Sequence, residues 1–255
     1  MRVTILGCGT SAGVPRVGND WGACDPDEPK NRRRRCSILV QEGRTTVLVD
    51  TSPDLREQLL DAKVTKLDGV LWTHDHADQC HGIDDLRPLW LHAGGKLLDA
   101  WTNRQTMDVL MQRFGYCFRQ APGSMYPPIL RGHELHRSLD IGELRGIEAI
   151  EQDHGFGVVS LGFRFGRFAY SNDVVELDEA AFTALAGIEV WLVDAMRYKP
   201  HPTHTHVERT LEWIARVKPK RAILTNMHID LDYQTLRREL PPGVEPAYDG
   251  MQIDL

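Results

Sequence analysis

Apolar and polar positions alternate along the whole of this 255-residue chain with two different periods. Alternating or β-branched runs predict strands at Val3–Leu6, Ser37–Val40, Thr46–Asp50, Gly69–Thr73, Gly146–Ile150, Val158–Phe165, Phe168–Ser171, Val190–Val193, Ala222–Thr225 and Gln252–Leu255. Apolar residues three and four apart predict helices over Pro53–Ala62, Ile83–His92, Arg104–Phe114, Asp178–Ala186, His206–Val217 and Asp232–Leu240, the first with its proline in the opening turn. Strands come first in hairpin-like pairs and then alternate with helices, so the expected class is α+β or α/β, with sheets covered by helices. No repeat or linker divides the chain, which reads as a single domain over 1–255. The segment around 94–133 stands apart. Its aromatics and prolines, interspersed with glycines, read either as a surface excursion or as a lid or wall able to stack on a flat substrate group.

Composition narrows the picture in a few places. With 42% hydrophobic and 26% charged residues, disorder and membrane insertion are both excluded as expectations. The N-terminus reads as a first strand rather than a signal peptide, so a cytoplasmic location is expected. Five cysteines without CxxC spacing argue against a disulfide framework and a tetrathiolate zinc site. A net charge of −6 argues against binding of long nucleic acids.

Candidate chemistry gathers at predicted strand ends. His74, His76 and Asp78 follow Gly69–Thr73 at alternate positions, and an i, i+2 pair can converge on one point only from an extended or looping segment. Asp50, His154, Asp173, Asp194, Asn226 and His228 follow other strands. Polar side chains recurring at strand ends are how sheet-based enzymes assemble a site.

The order Asp50, His74-x-His76-x-Asp78, His154, Asp173 and a polar residue at 226 resembles the metallo-β-lactamase superfamily. The opening Gly7-Cys8-Gly9-Thr10-Ser11-Ala12-Gly13-Val14-Pro15, with Arg35-Cys36-Ser37, Asp84-Asp85-Leu86-Arg87 and His201-Pro202-Thr203-His204, resembles its branch of cyclic-phosphate phosphodiesterases of phosphonate breakdown. The resemblance implies a four-layer αββα sandwich. It also implies a first metal, Zn2+ or Mn2+, on His74, His76 and His154, with Asp173 bridging towards a second on Asp78. Three neutral imidazoles leave room for a water, whose pKa such an ion lowers. Asp50 would orient a ligand or, alternatively, cap the turn at Thr51-Ser52-Pro53. His204 matches the general acid of that branch, although a local role at the start of a helix is the competing account.

Two departures qualify the resemblance. The second site's histidines at 79 and 226 are here Gln79 and Asn226, so that site is expected to be weak or empty. His81 and His228 are the nearest substitutes, and Asp78, freed from a second ion, would serve as a base. The loop after Pro15 holds the lone Cys24, too little for a thiolate zinc site, and Trp21 is expected to anchor it by packing. In the run Lys30–Arg35, ordinarily a solvated face, Arg35 is the candidate contact for a substrate phosphate. The expected function is a metal-dependent phosphodiesterase acting on a small cyclic phosphate or nucleotide-like ester. The alternatives are an RNA-end-processing nuclease and a weakly active or non-catalytic phosphate-ligand binding protein.

Overall fold

Along Ser37–Glu42 and Thr45–Val49, neighbouring side chains enter different hydrophobic clusters. Ile38, Val40, Val47 and Val49 join one, while Leu39 and Leu48 join the other. A strand buried on both faces does this because successive side chains point to opposite sides. In this computed structural model, which describes residues 1–255, that alternation builds four layers. The elements are β1 (Arg2–Gly7), β2 (Ser37–Glu42), β3 (Thr45–Val49), α1 (Leu55–Asp61), β4 (Gly69–Leu71), α2 (Ala77–Cys80), α3 (Arg87–His92), β5 (Leu98–Thr102), α4 (Arg104–Arg113), α5 (Gly115–Phe118) and β6 (Leu130–Glu134). There follow β7 (Ser138–Ile141), β8 (Leu144–Asp153), β9 (Val159–Phe165), β10 (Phe168–Ser171), α6 (Glu179–Ala184), β11 (Val190–Asp194), α7 (Val207–Val217), β12 (Arg221–Thr225), α8 (Tyr233–Glu239), β13 (Val244–Pro246) and β14 (Gln252–Asp254).

Two seven-stranded sheets result, ordered β14-β1-β2-β3-β4-β5-β6 and β13-β12-β11-β10-β9-β8-β7. Each is antiparallel at one end and parallel at the other. β3 to β6 run parallel, as do β10 to β13. Between the sheets lies a cluster of 39 buried residues, with Val3, Ile5 and Leu71 from one sheet and Phe163, Tyr170 and Leu192 from the other. A second cluster of 18 binds the outer face of the first sheet to its helices through Trp72, Leu55, Ile83 and Leu110. This is the αββα sandwich. No helix is long and apolar enough to cross a membrane.

Four strands escaped the sequence reading: β5, β6, β7 and β13. β6 lies at a sheet edge and reads Leu-Arg-Gly-His-Glu, so its pairing surface carries charge instead of an apolar run. Gly132 in it faces α4, where a Cβ would come within 2.7 Å of the Met107 sulfur. Consequently the excursion drawn at 94–133 is narrower than expected. Residues 98–102 and 130–134 are sheet, α4 and α5 cover it, and only the stretch between α5 and β6 projects, exposing Met125 and Tyr126. The helix placed at Pro53 starts at Leu55, and Pro53 belongs to the turn before it. The helix placed over Ile83–His92 is a 3₁₀ turn, Ile83–Leu86, running into α3, with the proline at the start of α3.

Distant loops are tied together by Asp232, which caps α8 by accepting from the Thr235 N–H at 2.8 Å and also accepts from Asn31 Nδ2 at 2.7 Å. Burial alone would raise its pKa, but the hydrogen bonds from Asn31, Thr235 and Asp25 outweigh it and hold the carboxyl down to about 2. A depressed folded-state pKa stabilises fully above the ordinary aspartate value and ceases to do so as pH falls through about 2. Asp232→Ala should therefore cost about 1 kcal/mol near neutral pH. The deficit should shrink below about pH 3.9, the ordinary aspartate pKa, as wild type loses the same contribution. Thermal melts across pH check both.

Candidate metal centre

The parallel strands of both sheets end at one edge, and three chain reversals there use left-handed residues. Asp50 after β3 has φ 64°, Asp173 after β10 has φ 53°, and Asn226 after β12 has φ 59°. Asp and Asn are among the few side chains that tolerate this region. All three are buried, which points their polar groups into the space between the sheet ends.

Asp50 does not cap its own turn. Its carboxylate accepts from the Thr73 N–H at 2.8 Å and from the Thr73 hydroxyl at 3.1 Å. With Asp50 ionised, the hydroxyl's single proton goes to its carboxylate, and Thr73 Oγ1 then accepts from His74 Nδ1–H at 3.0 Å. His74 Nε2 is left without a proton, buried and with no partner. A parallel constraint acts on His154, whose Nδ1–H donates to the Thr203 carbonyl at 2.8 Å and whose bare Nε2 lies 3.2 Å from His76 Nδ1. The His74 ring centroid is 4.5 Å from that of His76 and 4.8 Å from that of His154. Burial lowers the pKa of both buried rings, that of His154 to about 3, so both stay neutral. An orphaned buried lone pair beside two more imidazole nitrogens, all within 4.8 Å, fits a divalent ion of the zinc or manganese type.

The neighbouring half of the site has a different chemistry. Asp173 groups with His154 and His204 instead of with all three imidazoles. Gln79 Nε2 donates to Asp173 at 2.9 Å and reaches Asp78 at 3.2 Å, Asn226 Nδ2 lies 3.4 Å from Asp173, and Asn172 donates to it as well. Amide N–H groups thereby meet the two carboxylates that a second ion would otherwise neutralise. These residues do not fit a second imidazole-rich ion.

His204 lies alongside. Its Nδ1 is 3.0 Å from Asp194 and 3.6 Å from Asp173, and its ring is 4.9 Å from that of His154. Burial would lower its pKa, yet the Asp194 hydrogen bond and the surrounding carboxylates hold it up at about 9. Asp194 is fully buried, and the sequence reading noted it only as a strand end. Its position one strand over from Asp173 was the available signal. Its histidine partner lies ten residues on, across a loop, and only the fold joins them.

Other candidates lie elsewhere. His81 is exposed and packs edge-on against Phe114, and His228 is held by Asp230 and Arg16, so neither joins a ligand group. His206 occupies the residue before α7. The arginine run is not the solvated face expected of such a run. Arg33 is 1% exposed and bonds the Leu231 carbonyl at 2.7 Å, and Arg34 pairs with Asp61 and Asp249. Arg35 pairs through Nε with Asp54 at 3.0 Å, and its charge also acts on Asp78. Cys24 packs with Val14 and Ile229, and Trp21 lies against them.

Residues 45–229 match the family model described as a Beta-lactamase superfamily domain. The chain belongs to the metallo-β-lactamase superfamily. Within the superfamily it falls in the PhnP-like branch. A crystal structure described as a new diphosphatase from the PhnP family superposes with a TM-score of 0.91 at 33% identity, covering 100% of this chain and 97% of the other. Zn2+-bound PqqB from Methylobacterium extorquens shares the fold, with a TM-score of 0.78 at 17% identity and full coverage of both chains. A Porphyromonas gingivalis protein named octanoyltransferase is 31% identical over 260 residues, 99% of this chain and 51% of that one. The chain thus spans about half the length of the curated relatives it matches.

Thr73→Val keeps the shape at that position but breaks the link from Asp50 to His74 Nδ1. Metal affinity should fall about tenfold or more with the fold intact. A competition titration with a chromogenic chelator reads this, and unchanged affinity would remove Thr73 from the ligand-orienting role.

Proposed function

We propose that this superfamily member is a metal-dependent phosphodiesterase of small cyclic or nucleotide-like phosphate esters, with a single ion at its imidazole-rich half. The observation that carries the reading is the placement of His204, whose Nδ1 lies 3.0 Å from the buried Asp194 and whose ring stands 4.9 Å from that of His154. Similarity to a PhnP-family diphosphatase supports the phosphate chemistry. An ion on His74, His76 and His154 would supply Lewis acidity and a water of lowered pKa.

The chain's own residues do the remaining work. With Nδ1–H committed to Asp194, His204 delivers its proton from Nε2 to the leaving oxygen. Its positive charge also favours an anionic ester in the site. Asp78 is half-buried, faces His76, His204 and Arg35, and takes up the proton shed by the attacking water. Burial raises its pKa above the usual carboxylate range, which suits a proton acceptor. Arg35 is the candidate for a non-reacting phosphate oxygen. Gln79 and Asn226 hold Asp173 in place of a second ion.

The amide contacts favour one rival reading, a phosphate-ligand binding protein of little or no turnover. Hydrolysis of a generic phosphodiester by metal-loaded protein separates the two, and rates at the buffer level, unaltered by His74→Ala, would discard the enzyme. His204→Ala should lower kcat/KM by about 10²–10³-fold for an alkyl leaving group and much less for nitrophenolate, which needs no proton. Metal content should not change. Gln79→His combined with Asn226→His should raise the metal-to-protein ratio in elemental analysis, and an unchanged ratio would overturn the one-ion account.

A further inference from the structure

The hairpin tip between β8 and β9 carries a feature that folding does not explain. Immediately after His154 come Gly155, Phe156 and Gly157, with φ of 80°, 50° and 79°. Three successive left-handed residues make a tight reversal, closed by the His154 N–H on the Val158 carbonyl at 2.9 Å and the Val158 N–H on the Gly155 carbonyl at 3.0 Å. Glycine suits such a position and a bulky aromatic does not. Phe156 is nonetheless there, and the residue is 86% exposed. A lone exposed apolar residue is ordinary on protein surfaces. A phenylalanine held in a strained backbone and packed against little else is not, and such outliers concentrate at ligand-contacting positions.

Its location ties it to the reacting groups. The tip is pressed onto the loop that carries His204, since a Cβ on Gly155 would come within 2.6 Å of the Pro202 carbonyl and 3.1 Å of the Thr203 side chain. The same loop accepts His154 Nδ1–H through Thr203. His201 closes the row, its ring 5.2 Å from that of His204. The hairpin tip that bears Phe156 thus adjoins both His154 and the loop that carries His204.

We propose that Phe156, on the tip packed against the His204 loop, is a specificity residue that stacks on a planar, nucleobase-like ring carried by the leaving group. The proposal rests on the phosphoester reading for which part of the substrate lies there, and its binding test does not depend on turnover. Base–aromatic stacking of this kind tolerates different bases and typically changes affinity by about tenfold or more.

Titration calorimetry of the metal-loaded protein with adenosine monophosphate and with ribose 5-phosphate isolates the base. Wild type should bind the nucleotide about tenfold more tightly than the sugar phosphate. Phe156→Asn, which accepts the left-handed backbone, should abolish that difference, leave the sugar phosphate unaffected and keep or raise Tm, and Phe156→Trp should restore selectivity. Equal affinity of wild type for both ligands, an equal loss for both in Phe156→Asn, or a marked fall in Tm would overturn the proposal. Nucleotide selectivity that depends on Phe156 in a protein without phosphodiester turnover would leave the proposal standing and remove only the enzymatic reading.

Discussion

Everything at the metal centre depends on a proton that Thr73 has only once to give. Because the hydroxyl hydrogen is directed to the buried Asp50, the oxygen must accept from His74, and the far nitrogen of that ring must be bare. The chain Asp50–Thr73–His74 runs from the end of one parallel strand to the end of its neighbour, so the register of β3 against β4 sets the tautomer of His74. The second sheet contributes in the same currency, a backbone carbonyl from the His204 loop fixing His154. Two sheets thus present preset lone pairs to one point, and the cost of leaving them unpaired in a buried space is the force available to draw in a cation.

Next to that point the protein solves a different electrostatic problem. Asp78, Asp173 and Asp194 converge within one small volume, and burial makes several carboxylates together unfavourable. The amides of Gln79, Asn172 and Asn226 and the ring of His204 meet that accumulated negative charge. His204 becomes basic because of it. The carboxylates that the amides contact are the same ones that hold the pKa of His204 up, so the two halves of the site have one electrostatic account.

Much of this was legible in the chain itself. His74, His76 and His154 were visible as candidates because strand ends have recognisable periods, and the fold brings their ring nitrogens within 4.8 Å of one another. β2, β3 and β10 were readable from apolar content, whereas β6, with Arg131 and Glu134 in five residues, was not, since edge pairing needs no hydrophobic signal. The arginine run shows the converse failure. Arg33 looks like a solvated charge in sequence, and only the fold brings the Leu231 carbonyl and Asn31 around it. Asp194 and Phe156 stayed hidden for related reasons: one acts through a tertiary partner, and the other is marked by a backbone angle that no side-chain pattern encodes.

The left-handed backbone at Asn226 has an evolutionary consequence. Asparagine and histidine are both among the residues enriched at such angles, whereas most side chains are penalised there. Exchange between the two at position 226 is accordingly a small step for the chain, made without rebuilding the reversal after β12. The backbone after β12 therefore accepts an amide or an imidazole at this edge of the site alike, and the choice between them is left to what the side chain must meet there.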